Sequence, residues 1–324
     1  MIISQTPLRV SFFGGGTDLS EWYRRNGGAV LSTAIDKYCY ITVNRRFDHT
    51  IRVSYSRTEI AEHIDEIQHP LVREALKITG ISSGVEITSI ADIPGGTGMG
   101  SSSTFTVGLL SALWAFQGRH VSSEMLARTA CEIEIDRVGE PIGKQDQYAA
   151  AYGGMNVITF NPDETVFVDP VIVRPEVKRE LQASLLLFYT GQTRPAGQIL
   201  AEQKARTVEK SAALTRMRDM TAEGRQILQE GKYLGRFGTL LHEGWELKRG
   251  LASRITNPEI DHAYQLALSA GALGGKLLGA GGGGFLLLYV ERQNQGAVRQ
   301  ALSPLREISL DFEPRGSRII FVSE

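Results

Sequence analysis

The amino-acid sequence predicts an α+β protein in two lobes, and three features of its texture carry that prediction. The first ninety residues read mostly as short strands and turns, with aromatic and β-branched runs. After Pro94 a glycine- and serine-rich loop opens onto helices. Past Asn161-Pro-Asp, a turn signal that sets the expected lobes at 1–160 and 161–324, strand-like runs alternate with long helical stretches. A chain of 324 residues has room for one large domain or two ordinary ones of ~100–200 residues.

In chain order, residues 8–13 form a β-like run that stops at Gly14-Gly15-Gly16. Residues 38–43 (Tyr-Cys-Tyr-Ile-Thr-Val), 51–55 and 85–90 are further strands. Residues 60–76 have a helical pattern. Residues 101–116 form a helix whose Phe105, Leu109 and Leu113 fall at fourfold spacing on one face. A second helix starts at Ser122 or Ser123, either of which can cap it, and ends at Gly139. A loop then carries Gly143-Lys144-Gln145-Asp146-Gln147. Residues 155–160, 166–173 and 185–189 read as strands, and 196–230 and 233–251 as helices. Asn257-Pro258-Glu259 starts another helix with a cap, a proline at the first position and an acid in the first turn. Lys276-Leu-Leu runs into Gly279-Ala-Gly281-Gly282-Gly283-Gly284, and 285–290 is the next strand.

Composition narrows the function. Acidic and basic residues nearly cancel, 36 against 35, and no basic run appears, which disfavours nucleic acid as a partner. No run approaches the ~18 apolar residues of a membrane span, and the N-terminus lacks a signal-peptide pattern, so a cytoplasmic protein without a membrane partner is expected. Cys39 and Cys131 lie in no metal-binding or disulfide pattern and read as buried thiols.

The sharpest motif is Pro94-Gly95-Gly96-Thr97-Gly98-Met99-Gly100-Ser101-Ser102-Ser103. Four glycines in six positions let the backbone turn its N–H groups inward around a phosphate, and the helix beginning at the serines points its positive end at the same spot. It is not a Walker A loop. Gly143-Lys144, Gly231-Lys232 and Gly275-Lys276 all lack the following Ser or Thr, and the third glycine of a dinucleotide fingerprint is misplaced. Phosphoryl transfer also needs carboxylates, and Glu132, Glu134, Asp136 and Asp146 are the nearby candidates.

Taken together these segments resemble the GHMP kinase superfamily of galactokinase, homoserine kinase, mevalonate kinase and phosphomevalonate kinase. Three motifs stand in order: Thr6-Pro7-Leu8-Arg9-Val10 through Gly14-Gly15-Gly16-Thr17-Asp18-Leu19, then Pro94 through Ser103, then Lys276 through Gly284. The resemblance spans essentially the whole chain. It implies a first lobe like the second domain of ribosomal protein S5, an α/β second lobe, and an active site between them. It implies ATP on the second motif, Mg²⁺ on Ser102 and Glu134, Asp146 as general base, and Arg9 orienting base and phosphate. It implies that Gly14, Gly15, Gly16, Thr17 and Asp18 face the acceptor, with Asp18 holding sugar hydroxyls, and that Gly281 and Gly282 support the site.

Sugar-specific galactokinases carry Glu-His where this chain has Gly15-Gly16. The sequence is most similar to the branch that phosphorylates the anomeric hydroxyl of D-glycero-D-manno-heptose 7-phosphate for nucleotide-activated heptose synthesis. Missing side chains at Gly15 and Gly16 would make room for the longer sugar, and Lys144 and Arg194 are the first candidates for its distal phosphate. Arg24, Arg25, Lys37 and Lys248 come next, while His242 and Trp245 read as packing residues. The expected partner is therefore a phosphorylated sugar, in a monomer or homodimer. L-fucose or another free sugar is the alternative acceptor. A catalytically weak sugar sensor is disfavoured by Glu134 and Asp146.

Overall fold

The computed structural model describes residues 1–192 and 196–323. Chain order is β1 (Ile2–Phe13), α1 (Ser20–Asn26), β2 (Gly28–Arg45), β3 (Ile51–Ser54), β4 (Thr58–Ala61), α2 (Pro70–Thr79), β5 (Val85–Ala91), α3 (Ser101–Phe116), α4 (Ser123–Cys131), α5 (Gln145–Tyr152), β6 (Met155–Phe160) and β7 (Val166–Pro170). It continues with α6 (Pro175–Ala183), β8 (Leu185–Tyr189), α7 (Ala196–Ala205), α8 (Ser211–Glu230), α9 (Gly235–Arg249), α10 (Pro258–Ser269), β9 (Ala272–Leu277), β10 (Phe285–Val290), α11 (Gln295–Ala301), β11 (Arg306–Ile308) and β12 (Arg318–Val322).

Two sheets organise two lobes, as the sequence predicts. The larger runs β12-β1-β2-β5-β3-β4, and β6 joins β2 beside β5 and carries β7. Its strands come from both sides of residue 160, because β7 and the C-terminal β12 belong to it. The smaller is antiparallel, β11-β8-β10-β9. The long β2 spans both halves of the large sheet: residues 28–33 pair with β6 and 39–45 with β5.

Helix α3 is apolar on almost every side, and it is buried against β1 and β2. Gly108 lets it lie close, since a Cβ there would sit 2.7 Å from Thr6 Oγ1. The C-terminal end of β1 enters the other core, where Phe12 and Phe13 meet Phe237 of α9 edge-on at 5.2 and 5.0 Å. Trp245 is fully buried and His242 Nδ1 is 2.8 Å from the Tyr264 hydroxyl, so both are packing residues as expected. Cys39 and Cys131 are buried and free. Among the described residues no helix is long and apolar enough to cross a membrane.

Four local expectations need correction. Residues 60–76 are not one helix. Thr58–Ala61 pairs with β3, and α2 begins only at Pro70, whose ring keeps His69 extended. Residues 145–152, expected to begin in a loop, form α5, so Asp146 stands in a helical first turn. Residues 196–230 divide into α7 and α8. The strand expected over 166–173 ends at Pro170. Helices α1, α6 and α11 and strands β9, β11 and β12 were not anticipated.

Candidate active site

A cavity of about 480 Å³ lies between the lobes. Its wall brings together Arg9 and Asp18 from the first motif, Gly96, Gly98 and Gly100 to Ser103 from the second, Asp146 from α5, and Gly279, Ala280, Gly281 and Gly283 from the third. Size and mixed lining suit a small-molecule site.

Arg9 and Asp146 form its centre. Arg9 lies on β1, whose residue-9 N–H donates to Met99 O at 3.2 Å and so sets the strand against the loop. The guanidinium is buried and donates to both Asp146 oxygens, at 2.7 and 2.8 Å, and to Gly98 O at 2.7 Å. This two-point grip fixes the carboxylate plane. The Asp146 side chain keeps 23% of its surface exposed and so remains reachable from the cavity.

The loop ahead of α3 is shaped by contact with the third motif. Gly98 has φ +83°, and a Cβ on it would lie 2.4 Å from Leu278 O. A Cβ on Gly279 would lie 2.3 Å from Gly98 Cα. Only glycines allow this backbone-to-backbone approach. Thr97 and Met99 are buried and anchor the turn, Thr97 Oγ1 donating to Pro94 O at 3.0 Å, while Pro94, Gly95 and Gly96 are exposed. No side chain caps the N-terminus of α3, which leaves its first N–H groups for an anion.

Ser102 and Glu134 meet at that terminus. Ser102 Oγ donates to Glu134 Oε1 at 2.8 Å, and Gln147 Nε2 donates to Oε2 at 2.6 Å. Glu134 lies in a π-helical segment, Glu132–Arg137, that continues α4, and it has no solvent exposure. Burial pushes its carboxyl up to about 7, against the hydrogen bonds that favour the ion. A hydroxyl and a carboxylate are hard oxygen donors that fit Mg²⁺, an ion commonly bound by one or two side chains together with phosphate and water. Among the described residues no group of three or more His, Cys, Asp or Glu forms an all-protein cage.

Asp18 is buried beside Asp146. It accepts from Gly16 N at 2.9 Å and from Gln145 Nε2 at 3.1 Å. Burial raises its pKa, and the Asp146 charge adds to the rise. Gly143 makes this possible, because a Cβ there would fall 2.0 Å from Asp18 Oδ2.

Other expected residues stand apart. Lys144 turns to Glu164 and lies 4.8 Å over the Tyr23 ring, outside the cavity lining. Arg24 also bonds Glu164. Lys37 pairs with Asp36. Thr17 is buried and spends its hydroxyl on Gly14 O and Ala29 O, at 2.8 and 2.9 Å. Gly282 N donates to Ile255 O, and Gly281 is the neighbour that reaches the cavity. Arg194 lies outside the described residues. Two buried lysines do line the cavity. Lys276 Nζ donates to Phe12 O at 2.8 Å, tying the lobes together, and Lys248 Nζ donates to Leu277 O at 3.2 Å and to Gly279 O. Lys248 was only a secondary candidate. Ser11, Gln145 and Gln203 also line the cavity; Ser11 falls inside the first motif and Gln145 inside the 143–147 loop, but neither was singled out, and Gln203 lies outside every noted motif.

Comparison with known proteins gives a consistent result. Residues 63–154 match the GHMP kinases N terminal domain, and residues 228–307 match the GHMP kinases C terminal family. The chain is 30% identical to D-glycero-alpha-D-manno-heptose 7-phosphate kinase of Campylobacter jejuni, with 96% of each chain covered. It is 28% identical to L-fucokinase/L-fucose-1-P guanylyltransferase of Bacteroides fragilis over 92% of its own length, but spans only 35% of that longer protein. The crystal structure of a D-glycero-D-manno-heptose 1-phosphate kinase from Bacteroides thetaiotaomicron superposes with a TM-score of 0.83 at 26% identity, over the full length of both chains.

Proposed function

This chain belongs to the GHMP kinase family and is a sugar kinase that phosphorylates an alcohol group; from that premise we propose that it transfers the γ-phosphoryl of ATP to the anomeric hydroxyl of D-glycero-D-manno-heptose 7-phosphate, giving the 1,7-bisphosphate. The supporting observation is the Arg9–Asp146 pair facing the same cavity as the uncapped terminus of α3. The acceptor assignment draws on the full-length likeness to the Campylobacter jejuni enzyme.

Asp146 accepts the proton of the attacking hydroxyl as its oxygen bonds to the γ-phosphorus and the bond to the ADP oxygen breaks. Arg9 holds the carboxylate in line. Asp18 fixes a neighbouring sugar hydroxyl. The N–H groups of residues 96–102 stabilise negative charge on the moving phosphoryl, and their fixed orientation costs no reorganisation. Ser102 and Glu134 would hold Mg²⁺, which when bound supplies neutralisation of phosphate charge.

An ADP-release assay with Mg-ATP tests the acceptor, using D-glycero-D-manno-heptose 7-phosphate, mannose, L-fucose and galactose. Turnover confined to the heptose 7-phosphate is expected. Preferred turnover of L-fucose would move the assignment to the activity named for the fucokinase relatives. Nucleotide binding without turnover of any sugar would point to a sensor.

A further inference from the structure

One arc of the cavity wall is polar, uncharged and unsatisfied. Ser11, two residues past Arg9 on β1, has a buried hydroxyl with no hydrogen-bond partner among the described residues. Gln145 Oε1 is also buried without a partner, although the Nε2 of the same amide bonds Asp18. Gln203, on α7, is 5% exposed, and its side-chain amide makes no hydrogen bond to a described residue. All three line the cavity.

They converge on Gly15-Gly16. A Cβ built on Gly15 would lie 3.7 Å from Ser11 Oγ and 3.9 Å from Gln145 Oε1, ordinary contact distances. A Cβ on Gly16 would lie 2.3 Å from Gln203 Nε2. The room expected from the missing side chains is therefore present at Gly15. At Gly16 it is filled by an amide reaching across from α7.

Buried polar atoms without partners are costly, so Ser11 Oγ and Gln145 Oε1 on one arc, with the unpaired Gln203 amide beside them, point to an occupant that satisfies them. A serine hydroxyl and two carboxamides both donate and accept, and so do sugar hydroxyls. A phosphate would call for Arg or Lys, and neither belongs to this set. We infer that Ser11, Gln145 and Gln203 form the subsite that reads hydroxyls of the acceptor, with Gln203 as a specificity-determining residue standing where Gly16 has no side chain. The inference rests on the sugar-kinase reading. It also keeps the distal phosphate of the acceptor off this arc.

The test is a steady-state cycle on the full chain: wild type, Gln203→Leu and Ser11→Ala, each with the acceptor that wild type turns over best and with monodeoxy analogues of it. Gln203→Leu should raise the KM for the acceptor about 3–10-fold, the worth of one neutral hydrogen bond, and leave the KM for ATP unchanged. One monodeoxy analogue should cost wild type a similar factor and cost Gln203→Leu nothing further. Ser11→Ala should single out another analogue, and it removes too little volume to threaten folding should Gln203→Leu melt. Equal penalties for every analogue in wild type and both variants would overturn the inference, as would a change confined to the KM for ATP. If heptose 7-phosphate is not the preferred acceptor, the substrate reading fails, while the same cycle on the acceptor that is used still decides the subsite.

Discussion

In the proposed reaction Asp146 carries the most specific chemical demand, receiving a proton while gripped by Arg9. Asp146→Asn removes the basic oxygen and keeps one acceptor for the guanidinium. Its kcat should fall ~10²–10⁴-fold, with the KM for ATP little changed. Near-native turnover would remove the role, and a melting curve separates lost chemistry from lost folding. Lys248 makes a different prediction. Burial, and next the Arg9 charge, lower its pKa from 10.5 to about 7, and a neutral amine has two N–H donors for Leu277 O and Gly279 O. Between those two pH values the unfolded chain holds a proton that the native one lacks. Stability therefore rises with pH across the window, and the burial penalty is full below it. Denaturant midpoints measured near pH 7 and near pH 10.5 should show wild type gaining on Lys248→Met at the alkaline end. A difference independent of pH would mean that Lys248 is charged. At this scale the family resemblance singled out Arg9, Asp18, Ser102, Glu134 and Asp146, and the fold brings them close together. The resemblance gave no sign of Gln203, which lies mid-helix outside any motif. The proximity of Lys144 to Asp146 in sequence misled, because in the first turn of α5 the two side chains diverge, one to Glu164 and the other to Arg9.

Among the elements, the pairing of the second and third glycine motifs matters most. Gly98→Ala would combine a left-handed φ with a Cβ 2.4 Å from Leu278 O. It should destabilise the protein by ~1–3 kcal/mol and raise the KM for ATP, since the loop can relax only by leaving its seat. An unchanged melting temperature and KM would mean that the loop is softer than its packing implies. Helix α3 was legible because glycine, serine and regular apolar spacing mark its start and its buried side. The false helix over residues 60–76 shows what was not. Its apolar spacing fits a helix, yet Pro70 sets the true start and tertiary pairing with β3 claims residues 58–61. Helix α5 was missed because its polar opening, Gln145-Asp146-Gln147, resembles a loop, while Ala149, Ala150 and Ala151 carry its helical preference.

Across the whole molecule, the cavity wall is assembled from both lobes. Lys276 reaches Phe12 O, the third motif rests on the second, and Gln203 crosses to Gly16. The two-lobed α+β architecture could be read from the alternation of textures. The return of β12 to the first sheet could not, because strand pairing across most of the chain leaves no local signal. The central claim is phosphoryl transfer to the anomeric hydroxyl of a heptose already phosphorylated at its other end, and the names of the two heptose kinases similar to this chain place the phosphate differently. The most direct measurement is ³¹P NMR of the reaction of Mg-ATP with D-glycero-D-manno-heptose 7-phosphate. A new resonance coupled to the anomeric proton, growing in step with ADP while the 7-phosphate signal persists, is the predicted result; ADP formation with a resonance coupled to any other sugar proton, or no new sugar phosphate at all, would contradict it.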